Sequence, residues 1–273
     1  MSATHVTQSS VYNLINTFLI QELDLGNYSS LFLTAVPPKP GKKTIRVKKE
    51  MKISKKENVV KETIPLYKPK HVPDLHKFKI PAGNKKSQLD ALKNLIGSCD
   101  MCPELANYRK NIVFGAGNPD ADVLFVGEAP GRDEDVQGVP FVGRSGRLLT
   151  DIIEKGMNIK REDVYIANIL KCRPPNNRDP LSQEEVNCTP FLNKQLEIIK
   201  PKVIITLGRY AAQYILNTTV AIGKLRGNFH DYKGTPVMPT YHPAYLIRNY
   251  NKDNRLKVWN DVKKVVELLE KIG

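Results

Sequence analysis

From residue 122 onward, short apolar runs alternate with helical stretches, and this alternation restricts the fold more than any other feature. Val123–Val126, Val164–Ile169, Val203–Thr206 and Pro236–Thr240 read as strands. Between and after them, helices are expected from Ser145, which can cap a turn carrying Leu148, Leu149, Ile152 and Ile153; from Ser182, with Glu185 completing a capping box; over Gly208–Leu216; and over Asp253–Ile272, whose apolar face holds Val258, Val262, Val265, Leu268 and Leu269. Apolar strands with intervening helices imply a mostly parallel sheet covered on both faces, a three-layer α/β/α sandwich. Three strands end in polar residues: Gly127-Glu128, Asn168 and His242. In a parallel sheet such ends lie along one edge, where open α/β sheets hold their ligands.

The sequence before this region differs in composition. Residues 39–86 hold 16 lysines and arginines against Glu50, Glu57, Glu62 and Asp74, an excess of +12 out of the chain's +14. Prolines recur there, and a segment so charged and so poor in large apolar groups does not offset the entropy of ordering. Residues 34–86 are therefore expected to be a disordered basic linker, acting either through non-specific phosphate attraction or as a solvated tether. Residues 1–33 carry Val11, Leu14, Ile15, Phe18, Leu19 and Leu23 near helical spacing, which predicts a short amphipathic helix. The folded domain is expected over residues 87–273, opening with a helix marked by Leu89, Leu92, Leu95 and Ile96. No run of 18 apolar residues occurs and the N-terminus lacks a secretory pattern, so a soluble cytoplasmic protein with no membrane partner is expected.

Four cysteines are present: Cys99, Cys102, Cys172 and Cys188. In a reducing compartment, one C-x2-C pair with two further cysteines suggests a metal or cluster site rather than disulfides. Spacing alone permits zinc or an iron–sulfur cluster.

The turn after the first strand, G-E-A-P-G at 127–131, contains neither a phosphate-binding P-loop nor a dinucleotide fingerprint. By itself it is a tight turn. Together with P-F-V-G-R-S-G-R-L-L at 140–149, N-I-L-K-C-R-P-P-N-N-R at 168–178, H-P-A-Y-L-I-R at 242–248 and the cysteine order, it resembles the family 4 uracil-DNA glycosylases, the iron–sulfur type of bacteria and archaea. The resemblance covers about residues 90–270. One departure is Ser145, where the family's F-x-G-x-A-G motif carries alanine.

The resemblance implies an α/β/α enzyme of base excision repair, acting in the cytoplasm at the nucleoid. It would hydrolyse the N-glycosidic bond of deoxyuridine in DNA, releasing uracil and leaving an abasic site. It also implies a [4Fe–4S] cluster on Cys99, Cys102, Cys172 and Cys188. The residue chemistry is compatible. The target base has to leave the stack and enter a pocket. Phe141 suits stacking on the flipped ring, and Asn168, with one donor and one acceptor, matches the N3–H and O4 edge of uracil and mismatches cytosine. His242 is the candidate donor to uracil O2 as negative charge builds on the leaving base, with backbone N–H groups of Gly127, Glu128 and Ala129 adding to it. Glu128 sits where a carboxylate orients water or favours the sugar cation. In family 1 enzymes an aspartate occupies the position of Ala129, so either Glu128 or an ordered water takes over that role. Leu246 is the expected wedge that fills the gap left by the base, and Arg248 the expected phosphate contact.

Two other readings compete. A uracil-DNA binder that traps DNA covalently would carry a basic insert with a reactive histidine, and no insert separates Asn168 from R-P-P-N-N-R. A replication-associated module would use residues 1–86 to recruit a replication or repair protein. A monomer acting on uracil-containing DNA is the leading expectation.

Overall fold

The computed structural model describes residue 70, residues 72–75 and residues 77–272. The amphipathic helix expected over 1–33 and most of the linker expected over 34–86 lie outside the described residues. The described end of that linker does not behave as a tether. Leu75, Phe78 and Ile80 pack against the core, and the first described helix, α1 (Lys85–Ile96), starts two residues earlier than Ser87, capped by the Asn84 side chain on Ser87 N–H at 2.8 Å. Lys85 crosses to the Ile199 carbonyl at 2.8 Å.

Among the described residues, six strands form one sheet in the order β1-β3-β2-β4-β6-β5. The central four, β2 (Val123–Gly127), β3 (Tyr165–Asn168), β4 (Val203–Leu207) and β6 (Thr235–Thr240), are parallel. The edges are short antiparallel strands, β1 (Ala116–Gly117) and β5 (His230–Tyr232), which lack an apolar run and gave no sequence signal. Pro236 and Pro239 interrupt the donors of β6 without ending it.

Alternation along each central strand sorts side chains into two cores. Leu124, Val126, Ala167, Ile204 and Val237 face one layer, made by α1, α2 (Pro103–Tyr108), α5 (Ser182–Ile199) and α6 (Arg209–Ile215). Val123, Phe125, Ile166, Ile205 and Met238 face the other. That layer is made by α4 (Arg144–Asp151), a π-helical turn over Ile152–Gly156, α8 (Pro243–Arg248) and α9 (Lys252–Ile272). A further short helix, α7 (Ile222–Leu225), precedes β5. The three-layer expectation holds.

Several local expectations change. The polar stretch between Gly131 and Phe141 contains a helix, α3 (Arg132–Gln137), started by Glu134 reaching back to Gly131 N–H at 3.1 Å and stopped by Gly138 in the left-handed region. Ser145 does not cap α4; Gly143 does, and Ser145 is already helical. Ser182 likewise lies inside α5: Leu181 is the cap, its N–H accepted by Glu184 rather than by Glu185. Pro190 sits within α5 without ending it.

The last helix is tied to the strand that leads to His242. Asp261, 1% exposed, accepts from Thr240 Oγ1 at 2.6 Å and pairs with Arg226, whose guanidinium also donates to the Lys257 carbonyl at 2.7 Å and lies over the Tyr241 ring. An uncompensated charge at such a site costs several kcal/mol, so α9 and the end of β6 are held as one unit.

Candidate functional site

The C-terminal ends of β2, β3, β4 and β6 open onto one cavity of about 630 Å³, lined by Glu128, Ala129, Phe141, Asn168, Tyr241, His242 and Arg248 among others. The sheet register makes this convergence. Gly127 pairs with Asn168 across β2 and β3, and the bonds continue past the strand ends, with Ile169 N–H on the Gly127 carbonyl and Leu170 N–H on the Glu128 carbonyl, both at 3.0 Å. The turn and the base-reading candidate therefore share one ladder.

Gly127 is required by crowding. A Cβ there would lie 2.3 Å from Asn168 Oδ1 and 2.6 Å from Phe141 Cζ. Asn168 itself is buried, and its Oδ1 has no hydrogen-bond partner. An unpaired buried acceptor of this kind costs about 1–3 kcal/mol, and next to a cavity it is a group positioned for a donor on a ligand.

Phe141 adopts a positive φ of 54°, unusual for a bulky residue. Two features impose it. Gly146 in α4 comes so close that a Cβ there would overlap the Phe141 carbonyl, and Arg161 donates from Nη2 to the carbonyls of Pro140 (3.0 Å) and Phe141 (2.9 Å) while Nη1 holds Thr150 Oγ1 (3.0 Å). The ring is directed over Gly127, with its centroid 5.5 Å from that of His242 at a tilt of 34°. Glu134 braces the same loop: its carboxylate accepts from Gly131, Val142 and Gly143 N–H at 3.0–3.1 Å. It thereby joins the G-E-A-P-G turn to the phenylalanine loop.

His242 caps α8, accepting the Ala244 N–H on Nδ1 at 3.1 Å. Burial, and then the nearby Arg248, pull its pKa down to about 4, so the ring is neutral at physiological pH. A neutral imidazole whose Nδ1 accepts carries its proton on Nε2, leaving that N–H as a donor. Glu128 moves the other way. Burial first, then the Asp179 charge, push its carboxyl up to about 7, against the pull of Arg209 and Arg248. The site thus pairs a neutral imidazole with a carboxylate that titrates near neutrality.

Leu246, the residue expected as the wedge, is turned inward. It is 2% exposed, packs in the core beneath α8 and does not line the cavity. Spacing from His242 puts it on the inner face of the helix. Arg248 is exposed at the cavity mouth. Arg209, Tyr210 and Asp179 also line the cavity, with Arg209 paired to Asp179 at 3.3 Å. Neither these residues nor Arg161 and Glu134 were picked out from the sequence. For Glu134 a signal existed in its place three residues after Gly131; for Arg161 none did.

The four cysteines come together away from the cavity, between the end of α1, the start of α2, the 170–173 segment and α5. Burial raises the Cys172 thiol to about 11 and pushes Cys188 higher still, and the neighbouring cysteines add to both. Donors point at the sulfurs: Arg109 Nη1 at Cys172 Sγ (3.2 Å), Lys171 N–H at Cys188 Sγ (3.2 Å) and Asn187 Nδ2 at Cys102 Sγ (3.4 Å). Among the described residues, no three His, Cys, Asp or Glu side chains close on a single ion. Lys171, fully buried, donates from Nζ to the Asn168 carbonyl at 2.9 Å and Gln195 Oε1 at 2.6 Å, linking this cluster to the β3 end. No described helix is long and apolar enough to cross a membrane.

Comparison with known proteins gives consistent matches. Residues 114–263 match the uracil DNA glycosylase superfamily. The chain is 44% identical over 189 residues to the type-4 uracil-DNA glycosylase of Saccharolobus solfataricus, covering 66% of this chain and 86% of that protein. It is 44% identical over 191 residues to the type-4 enzyme of Thermotoga maritima, covering 69% and 98%. To that of Archaeoglobus fulgidus it is also 44% identical over 191 residues, covering 67% and 94%.

Proposed function

Because this chain belongs to the uracil-DNA glycosylase superfamily, and by its 44% identity to the type-4 family within it, we propose that it excises uracil from DNA in base excision repair. The observation that carries the reading at the site is the buried Asn168 acceptor without a partner, beside the Phe141 ring and over Gly127. Uracil N3–H would satisfy that acceptor, and the amide N–H₂ would meet O4; cytosine offers an unprotonated N3 and an amine at the same places. Phe141 would stack on the base.

In the reaction, water adds to C1′ as the C1′–N1 bond breaks, the base leaves with the bonding electrons, and a proton returns to it as uracil. His242 would donate its Nε2–H to O2 of the departing base. A neutral donor suits this role, since it stabilises the developing anion without transferring a full charge. Glu128, as the carboxylate, would orient the water or favour the positive sugar, and the turn's N–H groups would assist. Arg248 would meet a backbone phosphate.

The cysteine site fits an iron–sulfur cluster in its donor set: four thiols, with N–H groups directed at three of the sulfurs. Cys99, Cys102, Cys172 and Cys188 would hold the [4Fe–4S] cluster. Bound there, it would supply a covalent tie between distant segments; hydrolysis itself moves no electrons. We further infer action as a monomer on uracil-containing DNA in the cytoplasm, at the nucleoid. The basic extension would then be available to a replication or repair protein.

The test is release of free uracil from an oligonucleotide with one deoxyuridine. Excision with an abasic product is expected. Protein that binds the oligonucleotide and releases no base, or that remains attached through a denaturing gel, would overturn the proposal.

A further inference from the structure

The structure accounts for most arginines of the folded part by a visible partner. Arg109 holds Cys172 and the Cys99 carbonyl, Arg161 the Phe141 loop, Arg178 Glu184 and Glu104, Arg209 Asp179, and Arg226 Asp261. Arg132, Arg144, Arg147 and Arg248 differ: none makes a hydrogen bond or ion pair to another described residue, and all four are exposed. Arg132, Arg144 and Arg248 come from three separate elements, α3, α4 and α8, and line one cleft of about 250 Å³, which Arg147 does not. The cleft adjoins the uracil cavity, sharing Glu134, Ser145, Ala244 and Arg248 with it.

Three guanidinium groups on one cleft repel one another; Arg248 also acts by its charge on Glu128 and His242, while Arg132 and Arg144 have no other visible role. Two acidic residues line the same cleft. Glu134 is committed, since its oxygens accept three backbone N–H groups. With Asp133, two carboxylates stand against three guanidinium groups, and the balance still favours an anion. Planar forks directed at a small cleft match phosphate oxygens, which arginine binds in bidentate fashion.

We propose that this cleft is a subsite for one backbone phosphate of the DNA strand, beside the flipped uridine, with Arg132 and Arg144 joining Arg248 as its ligands. The proposal rests on the uracil-excision reading and extends it. A single clamped phosphate next to the cavity fixes where the strand enters, so it places the base rather than reads it. Ser145 lies at the junction of the two spaces, and the hydroxyl it adds is available to the same phosphate.

The experiment uses the full chain and a set of deoxyuridine oligonucleotides, each with one neutral methylphosphonate in place of a phosphate near the uridine. Arg132→Gln and Arg144→Gln are assayed on every member, with Asp133→Asn as a variant of opposite sign. All three positions are exposed, so folding is preserved; circular dichroism checks it. The expected result is coupling at one position only. There, methylphosphonate lowers wild-type kcat/KM but lowers that of the arginine variants much less, while elsewhere the two effects multiply. On unmodified DNA, each arginine variant should also reduce the slope of log affinity against log salt by about 1, and Asp133→Asn should tighten binding. Multiplying effects at every position, or an unchanged salt slope, would overturn the proposal. Absence of excision by wild-type protein on unmodified DNA would instead overturn the uracil reading.

Discussion

Asn168 and Gly127 lie side by side in adjacent parallel strands, so close that a methyl group on the glycine would sit 2.3 Å from Asn168 Oδ1. The glycine is therefore part of the pocket's shape. Gly127→Ala should displace the asparagine amide, the Phe141 ring or both. The expected outcome is a loss of kcat/KM of about 10²-fold or more, since misplacing reacting groups by about 1 Å has that effect. Steady-state kinetics on a deoxyuridine oligonucleotide check it, with melting temperature as the control for folding.

Asn168→Asp tests the reading of the base. The variant keeps the size of the side chain and replaces the N–H₂ that O4 would accept from. Uracil excision should fall by about 10²-fold, in line with the loss of one buried hydrogen bond to a polar partner, and the ratio of uracil to cytosine excision should fall with it. An unchanged ratio would remove Asn168 from the specificity role.

The two titrating groups separate in pH. His242, held down to about 4, stays neutral across the assay range, so an acid limb near neutrality belongs to Glu128, pushed up to about 7. If the carboxylate assists the sugar cation or the water, kcat/KM should rise with pH through about 7, and Glu128→Gln should flatten that rise. Stability should move oppositely. Folded Glu128 holds its proton to about 7 and the unfolded chain only to about 4.5, so its contribution is full below 4.5 and lost as pH rises through 7. Glu128→Gln should accordingly melt above wild type at pH 8 and level with it at pH 4.

His242→Ala removes the proposed donor to the leaving base. The single-turnover rate should drop about 10²–10³-fold, the cost seen for a lost oxyanion donor, with DNA affinity nearly unchanged. Equal losses in affinity and rate would instead indicate a packing role through Phe141, whose ring centroid is 5.5 Å away.

Cys172→Ser should lose both bound iron and the broad absorbance near about 400 nm expected of a thiolate-ligated cluster. Because burial holds the metal-free Cys172 thiol up at about 11, the metal has to displace protons to bind, and loading should weaken as pH falls. Iron content and absorbance of protein equilibrated across pH give the answer.

What was readable in the sequence follows from what repeats. Strands β2, β3, β4 and β6 are apolar on both faces, and their buried character shows directly as Val-Leu-Phe-Val or Val-Ile-Ile-Thr. The polar residues that end them were equally visible, because a break in an apolar run is a local signal. The misses concern groups whose partners are distant. Arg161 looks like one more surface arginine until its fork is seen on the Phe141 carbonyl twenty residues away. Leu246 shows a related limit: spacing along a helix gives the period of a face but not which face turns inward, and α8 turns Leu246 to the core. Ser145 and Ser182 each suited a cap by composition, yet α4 starts at Gly143, whose N–H is accepted by Glu134 from the preceding helix, and α5 at Leu181, whose N–H is accepted by Glu184.

The bond from Thr240 to Asp261 bears on how this protein can be altered. Asp261 lies nineteen positions beyond His242, in a helix that touches no substrate, yet it neutralises Arg226 beneath the strand that delivers the histidine. Shortening α9 past that carboxylate would strand a buried cation next to Tyr241 and loosen the rim of the cavity from behind. For anyone trimming, permuting or fusing the chain, the end of the sequence is as much a part of the active centre's foundation as the motifs that line it, and tags or partners belong on the far side of Val265.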